Sequence, residues 1–575
     1  MPCPAAALLT VPALRVSVNP LLFQPMGAFR VMHMSSILGL EPLSGRRSWE
    51  KSLGEFLETV TAAYPDKVFI EIAGQEITYR QFMERCRSAA GMFRSLGIGH
   101  GDRVCLFLPN VPEVLYTWFG LSLIGGIAVT INTAYRRDEM AYILNNADAS
   151  ALVAHQDLVD VATQAADIAP CVRHRLLVGG AASSGWQDYG QLLSDADPVL
   201  ELPSVSPTDI SMLQYTSGTT GNPKGVQVTH QMYVSAGQGF ALWTQASPDD
   251  RFFTCLPYFH ANAQYYSTMG TLASGATLIV QDRFSASRFW QQVRDARATV
   301  VNFIGMMMPV LAKNDPQPDD RDNTVRLFYG SPSFSPEFLS EFENRFGTDI
   351  IVGFGMTETC YGTIEAIRGE RRPNSSGQPR QHPDATFENS VRIVDDSGAP
   401  VPNGTPGEIT IRNPATMAGY WRNETETNAS LRDGWLFTGD LGWLDDDSYL
   451  YFVDRKKDVI RRRGENISSQ EVEDVIKRHE RVLDCAIIAV PSELGEDEVK
   501  AYVTPRPGES VQPEDVIYWC AENLAYFKVP RYIEVRDELP RTPSLRVRKD
   551  VLRQEREDLI AGCFDREAAG IQIRR

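Results

Sequence analysis

From Trp49 onward, short apolar runs alternate with stretches of helical spacing, and this alternation restricts the possible fold more than any other feature. Arg103–Pro109 (RVCLFLP) is apolar over the length of a buried strand. Val111–Gly125 follows with helical character, and Gly126–Asn132 is a second strand-length run. Another helical stretch, around Asp138–Asn146, leads into Ala151–His155, a third strand. Strand–helix–strand alternation of this kind implies parallel sheets covered by helices. The expected fold class is α/β, with a large N-terminal body of mostly parallel sheets and helices. No short-period repeat is present.

With 575 residues the chain is too long for one small domain. Its character changes near residue 453, where Asp454-Arg455-Lys456-Lys457-Asp458 is a charged run and Arg461-Arg462-Arg463-Gly464-Glu465 follows closely. Beyond it, Ser469–His479 has helical spacing, and Cys485–Val490 and Lys500–Val503 have strand character. The expected organisation is a poorly ordered N-terminal extension (1–45), a body (46–453), a connection (454–458) and a small C-terminal α+β domain (459–575). The extension has no acid before Glu41 and holds Arg15 and Arg30 among apolar residues. It reads either as a transit peptide or as an overlong start, with Met26, Met32 or Met34 as the beginning.

The net charge of −17 argues against bulk binding to nucleic acid or to an anionic membrane, so a polyanionic ligand needs a local basic patch. Nine cysteines without a Cys-x-x-Cys pair and eight histidines without metal spacing fit a reduced, cytoplasmic protein lacking structural zinc. No apolar run reaches about 18 residues, so no membrane span is expected.

Tyr215–Gly225 reads Tyr-Thr-Ser-Gly-Thr-Thr-Gly-Asn-Pro-Lys-Gly. Gly218 and Gly221 let backbone N–H groups approach phosphate oxygens closely, and Thr216, Ser217, Thr219 and Thr220 supply hydroxyl donors. Lys224 adds a cation, and Pro223 stiffens the exit. No Gly-Lys-Ser/Thr occurs, so this is not a Walker A loop. The blander reading is a flexible surface loop.

The string resembles the signature loop of the adenylate-forming superfamily, which includes acyl-CoA synthetases, luciferases and adenylation domains. The resemblance spans roughly residues 50–555. The phrases FGMTET (354–359), DGWLFTGD (433–440), YFVDRKKDVI (451–460) and RGENIS (463–468) are most like those of the crotonobetaine/carnitine-CoA ligases. It implies an α/β body with a mobile C-terminal lid and two half-reactions using ATP, Mg²⁺ and CoA. First a small or medium carboxylic acid is adenylated with release of pyrophosphate; then a thiol, that of CoA or of a carrier protein acting in trans, displaces AMP. A monomer or homodimer is expected.

By this resemblance, Gly353-Phe354-Gly355-Met356-Thr357-Glu358 is the second nucleotide motif. Thr357 would touch the α-phosphate, Glu358 (with Thr216) would hold Mg²⁺, and Phe354 would stack on adenine. The plain alternative is a strand end followed by a helix cap at Thr357. Gly330-Ser331-Pro332 falls where relatives place residues beside the adenine. Asp440 and Arg455 would bind the ribose. Lys457 takes the hinge position. His260 would gate the acyl pocket, with Asn262, Gln264, Phe303, Met306, Met307, Cys360 and Tyr361 as walls. Met306–Met308 also reads as plain core filling. Gly464 would leave passage for pantetheine, and Arg463 and Arg283 would contact CoA.

One motif departs from the pattern. The family's Pro-x-Thr-x-x-Gly-Lys is here Pro540-Arg541-Thr542-Pro543-Ser544-Leu545-Arg546, with Leu545 for the glycine and Arg546 for the catalytic lysine. Arginine keeps the charge but not the compact ammonium. Losing one well-placed transition-state donor costs about 10²–10³ in rate. Lys549 lies three residues too far along to substitute. Arg546 is either an adapted lysine, or the mark of a protein that keeps only thiolation, or the mark of an adenylate-former with another substrate or nucleophile, such as nitrite. A binding-only relative is a further reading.

Overall fold

Three of the apolar runs become neighbouring parallel strands because side chains on both of their faces are covered. Arg103–Phe107 pairs with Ile127–Thr130 on one side and Ala151–His155 on the other. The computed structural model describes residues 47–573 apart from 182–184, 217–222, 306, 332–333, 368, 383, 385, 457, 463–464, 492–496 and 543–545. The expected N-terminal extension lies outside the described residues.

The first sheet has seven strands, in the order Gln187–Asp188, His174–Val178, Ala151–His155, Arg103–Phe107, Ile127–Thr130, Ile210–Thr216, Lys224–Thr229. All its pairs are parallel except the last. A second sheet of eight strands runs Thr359–Ile364, Asp349–Met356, Leu327–Ser331, Val300–Ile304, Arg251–Thr254, Thr277–Val280, Val68–Ile72, Gln75–Thr78. It is parallel except at its two ends.

Helices Pro112–Leu123 and His230–Trp243 bury almost every residue, as helices enclosed by packed layers do. Their side chains share one apolar cluster with Leu278, Val300 and Leu327 of the second sheet. Pro112 begins the first of them at a position where its missing N–H costs nothing.

A third, antiparallel sheet holds Ser390–Val394, Gly407–Arg412, Trp435–Leu444 and Leu431–Arg432, with Leu450–Arg455 paired to Trp435–Leu444. Past it the chain builds the hairpin Ile460–Arg462/Glu465–Ile467 and a four-stranded sheet, Val482–Pro491, Asp497–Pro505, Tyr532–Val535 and Phe564–Asp565. Helix Ser469–Lys477 packs on this sheet, and the apolar clusters there contain only residues from Ile460 on. The molecule is therefore an α/β body of mostly parallel sheets with a small C-terminal α+β domain that has its own core.

Among the described residues, no helix is long and apolar enough to cross a membrane.

Candidate active site

The expected phosphate loop joins two antiparallel strands whose last pair is Thr216 opposite Lys224. It is the connection of a β-hairpin at the edge of the first sheet. Ser217, Gly218, Thr219, Thr220 and Gly221 lie outside the described residues, as do Met306, Pro332, Lys457, Arg463, Gly464 and Leu545 among the other expected site positions.

Thr216 and Lys224 open onto a cleft of about 1220 Å³. Each of the three body sheets and the C-terminal domain contributes to it. From the second sheet come Gly355 and Met356, at the end of Asp349–Met356, and the turn Thr357-Glu358. From the third sheet come Asp440 and Arg455; from the C-terminal domain come Arg541, Thr542, Arg546 and Arg548. His260 closes one side together with Phe259 and Ala261. Ten of the expected site residues thus meet in one place: Thr216, Lys224, His260, Gly355, Met356, Thr357, Glu358, Asp440, Arg455 and Arg546.

The turn at Thr357-Glu358 leads into the antiparallel strand Thr359–Ile364, so the alternative of a helix cap at Thr357 is not what forms. The peptide oxygen of Thr357 accepts from Tyr265 Oη at 3.0 Å. Gly355 is glycine because a Cβ there would lie 2.4 Å from the Cys360 carbonyl oxygen and 2.9 Å from Tyr266 Oη.

Glu358 is buried, and its Oε1 accepts from Tyr420 Oη at 2.8 Å. Burial pushes its carboxyl above the usual carboxylate range, against the pull of Tyr420, Arg455 and Lys224. Lys224 pairs with Glu426 and lies 5.4 Å from the centre of the Tyr420 ring. Asp440 faces Arg455 across the strand pair, with a closest approach of 3.6 Å. Burial raises Asp440 to about 6, and the Arg455 and Arg546 guanidinium groups hold it back. Burial, with Arg455 nearby, lowers Arg546 from the usual arginine range. Loss of solvation holds His260 at about 4, so its ring is neutral near pH 7, and its buried Nε2 has no hydrogen-bond partner.

Among the described residues six cations line the cleft, Lys224, Arg455, Lys456, Arg541, Arg546 and Arg548, beside five acids, Asp138, Glu139, Glu358, Glu408 and Asp440. In a chain of net charge −17 this is a local gathering of positive charge of the kind a polyanionic ligand needs. Arg462, in the charged stretch after residue 460, is no part of it, being buried at 2% exposure against Glu498.

Several expected positions lie elsewhere. The Phe354 ring sits in the apolar cluster of Ile393, Ile409, Ile411 and Leu450. Gln264 spends its amide on Tyr233 and Tyr258, and the Tyr361 hydroxyl donates to the Ser235 carbonyl at 3.3 Å. Phe303, Met307 and Cys360 are buried in the main core, so the core-filling reading holds for Met307 and for Met308 beside it. Asn262 donates to the Phe303 carbonyl at 3.4 Å, and its Oδ1 is buried without a partner. Gly353 is buried, and Gly330 lies so close to Phe303 that a Cβ would come within 2.3 Å of its carbonyl oxygen. Ser331 is exposed at the same strand end. The Arg283 side chain is 80% exposed, with Asp282 at 3.9 Å. Lys549 is tied to Ser469 and Glu473 and does not line the cleft.

Tyr420, Glu426 and Gln214 were missed from sequence. Tyr420 is 62 residues from its partner Glu358, and nothing local announces that contact. Glu426 had a weak signal, since Asn423 three residues earlier caps its helix. Gln214 is 2% exposed on the cleft wall, and neither of its amide atoms has a hydrogen-bond partner.

The sequence matches the AMP-binding enzyme family over residues 57–421 and the AMP-binding enzyme C-terminal domain over 471–546, ending on Arg546. It is 34% identical over 517 residues to a crotonobetaine/carnitine–CoA ligase of Salmonella agona (strain SL483), covering 88% of this chain and 99% of that one. A crotonobetaine/carnitine–CoA ligase of Escherichia coli O8 (strain IAI1) is 35% identical over 476 residues, 81% of this chain and 91% of its own. Among solved structures, the anthranilate CoA ligase AuaEII in complex with anthranoyl-AMP superposes with a TM-score of 0.80 at 25% identity, over 88% of this chain and 97% of that one. ATP-bound MatB from Rhodopseudomonas palustris gives 0.78 at 26% identity, over 88% and 99%.

Proposed function

The chain belongs to the AMP-binding enzyme family, and from that premise we propose that it activates a small or medium carboxylic acid with ATP and transfers the acyl group to CoA. The observation that carries this reading is the single cleft in which Thr216, Lys224, Glu358, Asp440, Arg455 and Arg546 converge from separate sheets and both domains.

In the first half-reaction a carboxylate oxygen attacks the α-phosphorus of ATP. The bond to the bridging oxygen breaks, and pyrophosphate leaves with the electron pair. Lys224 and the hydroxyl of Thr216 sit at the mouth of the hairpin to meet phosphate oxygens, and Lys224 exchanges Glu426 for them. Asp440 and Arg455 offer an acceptor and a donor to the ribose hydroxyls. Arg546 neutralises charge that builds between the carboxylate and the α-phosphate. In the second half-reaction a thiol sulfur attacks the acyl carbon and AMP departs. His260, neutral and unpartnered, flanks the acyl carbon and leaves the approach uncharged.

Mg²⁺ fits Glu358. A carboxylate on the cleft wall, with the Thr216 hydroxyl in the same lining, is the hard oxygen donor set that Mg²⁺ takes together with substrate phosphates. The ion would spread the phosphate charge, and Tyr420 would orient the carboxylate that holds it.

Incubation with ATP, Mg²⁺ and a panel of acids tests the reading. The panel is crotonobetaine, carnitine, anthranilate, o-succinylbenzoate and benzoate, the acids for which the relatives and structural neighbours are named. Each is run with and without CoA and with nitrite, with products read by mass spectrometry. AMP and an acyl-CoA are expected with at least one acid. The arginine at position 546 is what favours a second reading, a repurposed adenylate-former. AMP that appears with nitrite and an aryl amine but never with CoA would select it.

A further inference from the structure

Lys549 is the residue through which the Arg546 segment is fastened down. Its Nζ donates to Ser469 Oγ at 2.6 Å and pairs with Glu473 Oε1 at 2.7 Å. Ser469 opens the helix Ser469–Lys477, and its backbone N–H and hydroxyl both donate to Asp454 Oδ2, at 2.6 and 2.7 Å. Gln470 N and Ser468 Oγ approach the same oxygen at 3.3 and 3.4 Å. Asp454 is 4% exposed and lies on the body strand Leu450–Arg455, one residue before Arg455, whose N–H donates to Asp454 Oδ1 at 2.7 Å.

A chain of charge-assisted hydrogen bonds therefore runs from the body strand that carries Arg455, through a helix N-terminus, to the foot of the segment that carries Arg546. That segment is closed on itself. Arg541 bridges Val547, Thr542 N donates to the Arg546 carbonyl at 2.7 Å, and Arg546 N donates to Thr542 Oγ1 at 3.1 Å. Its other foot is held by Arg541 on Asp484.

We propose that Asp454 and Lys549 are positioning residues for Arg546. Together they hold the C-terminal domain where the Arg546 guanidinium enters the cleft beside Asp440 and Arg455. Asp454 stands at the start of the connection between domains and Ser468–Gln470 follow it, so a C-terminal domain turned about that connection loses the bonds that Ser468, Ser469 and Gln470 make to Asp454. This inference rests on the reading above, that Arg546 serves adenylation. The first half-reaction then depends on the chain of bonds, and the second, which does not use Arg546, is independent of it.

Two variants test it: Asp454→Ala, and the pair Glu473→Gln with Lys549→Met, which leaves no buried carboxylate unpaired. Three measurements apply to each. They are pyrophosphate–ATP exchange with whichever panel acid the wild type activates, thioester formation from that acid's synthetic adenylate and CoA, and amide hydrogen exchange over 468–472 and 546–554. Exchange into ATP is expected to fall about tenfold or more while thioester formation stays within about twofold, and both peptides lose protection. Equal losses in the two half-reactions, or no loss in either variant, overturn the proposal. If the wild type activates no acid, the adenylation reading fails, and amide exchange alone decides the inference: unchanged protection of 546–554 in Asp454→Ala overturns it.

Discussion

Arg546 occupies a lysine's place with a different geometry. A guanidinium presents a planar fork that suits two oxygens in one plane, whereas an ammonium is a compact charge that reaches between them. Here the fork also shares its surroundings with a second guanidinium, Arg455, and burial disfavours its charge. Arg546→Lys is expected to raise pyrophosphate exchange by about tenfold, part of what a well-placed donor contributes. A large fall instead would give the arginine a role of its own. Asp440 makes a second, opposite case. An acid whose folded pKa is raised supports the fold only while protonated. That contribution is present below the unfolded value of 3.8 and is lost as the pH rises through about 6. Asp440→Asn should therefore raise the melting temperature by a few degrees near pH 7.5 and by nothing near pH 4. The same change should weaken ATP binding, measured by calorimetry, since the ribose acceptor is gone.

Elements differ in how far their sequences announce them. Val111–Gly125 and Ala151–His155 were readable because each is apolar over a length typical of its element, about 12 residues for a helix and about 4–8 for a strand; they form as Pro112–Leu123 and Ala151–His155. Within a strand, alternation shows that successive side chains face opposite ways, but not which way each faces. The cluster that Phe354 joins, with Ile393, Ile409, Ile411 and Leu450, could not be read for this reason. A run of charges likewise does not show which of its side chains is solvated. Arg462 belongs to the hairpin Ile460–Arg462/Glu465–Ile467, contacts Glu498 at 2.8 Å and donates to the Phe527 and Val529 carbonyls at 2.8 and 3.2 Å. Breaking such a buried pair leaves an uncompensated carboxylate, at about 3–5 kcal/mol. Arg462→Met is expected to speed amide exchange in Val482–Pro491 and Asp497–Pro505 by two orders of magnitude or more, with the seven-stranded sheet unaffected. Equal loosening of that sheet would contradict it.

At the scale of the molecule, two bodies with separate cores share one cleft. A ligand that touches both should stabilise both. MgATP at about 100 times its dissociation constant is expected to add about 2.7 kcal/mol. Amide protection should rise in the C-terminal domain as well as in the body, and Arg546→Ala should remove the gain in the C-terminal domain alone. A gain confined to the body in the wild type would mean that the C-terminal domain does not grip the nucleotide.

The sequence by itself determined the α/β class, the pair of strands that the 215–225 string joins and ten of the residues that gather in the cleft. Each of these is written in local periods or in a short string whose chemistry depends on its own members. Only the tertiary structure decided that Tyr420 bonds Glu358, that Gln264 bonds Tyr258, and that Ser469 joins Lys549 to Asp454. These hydrogen bonds join residues 6 to 80 positions apart along the chain. They follow from how the sheets and the C-terminal domain pack and which face each strand turns inward, and no period in the chain encodes that.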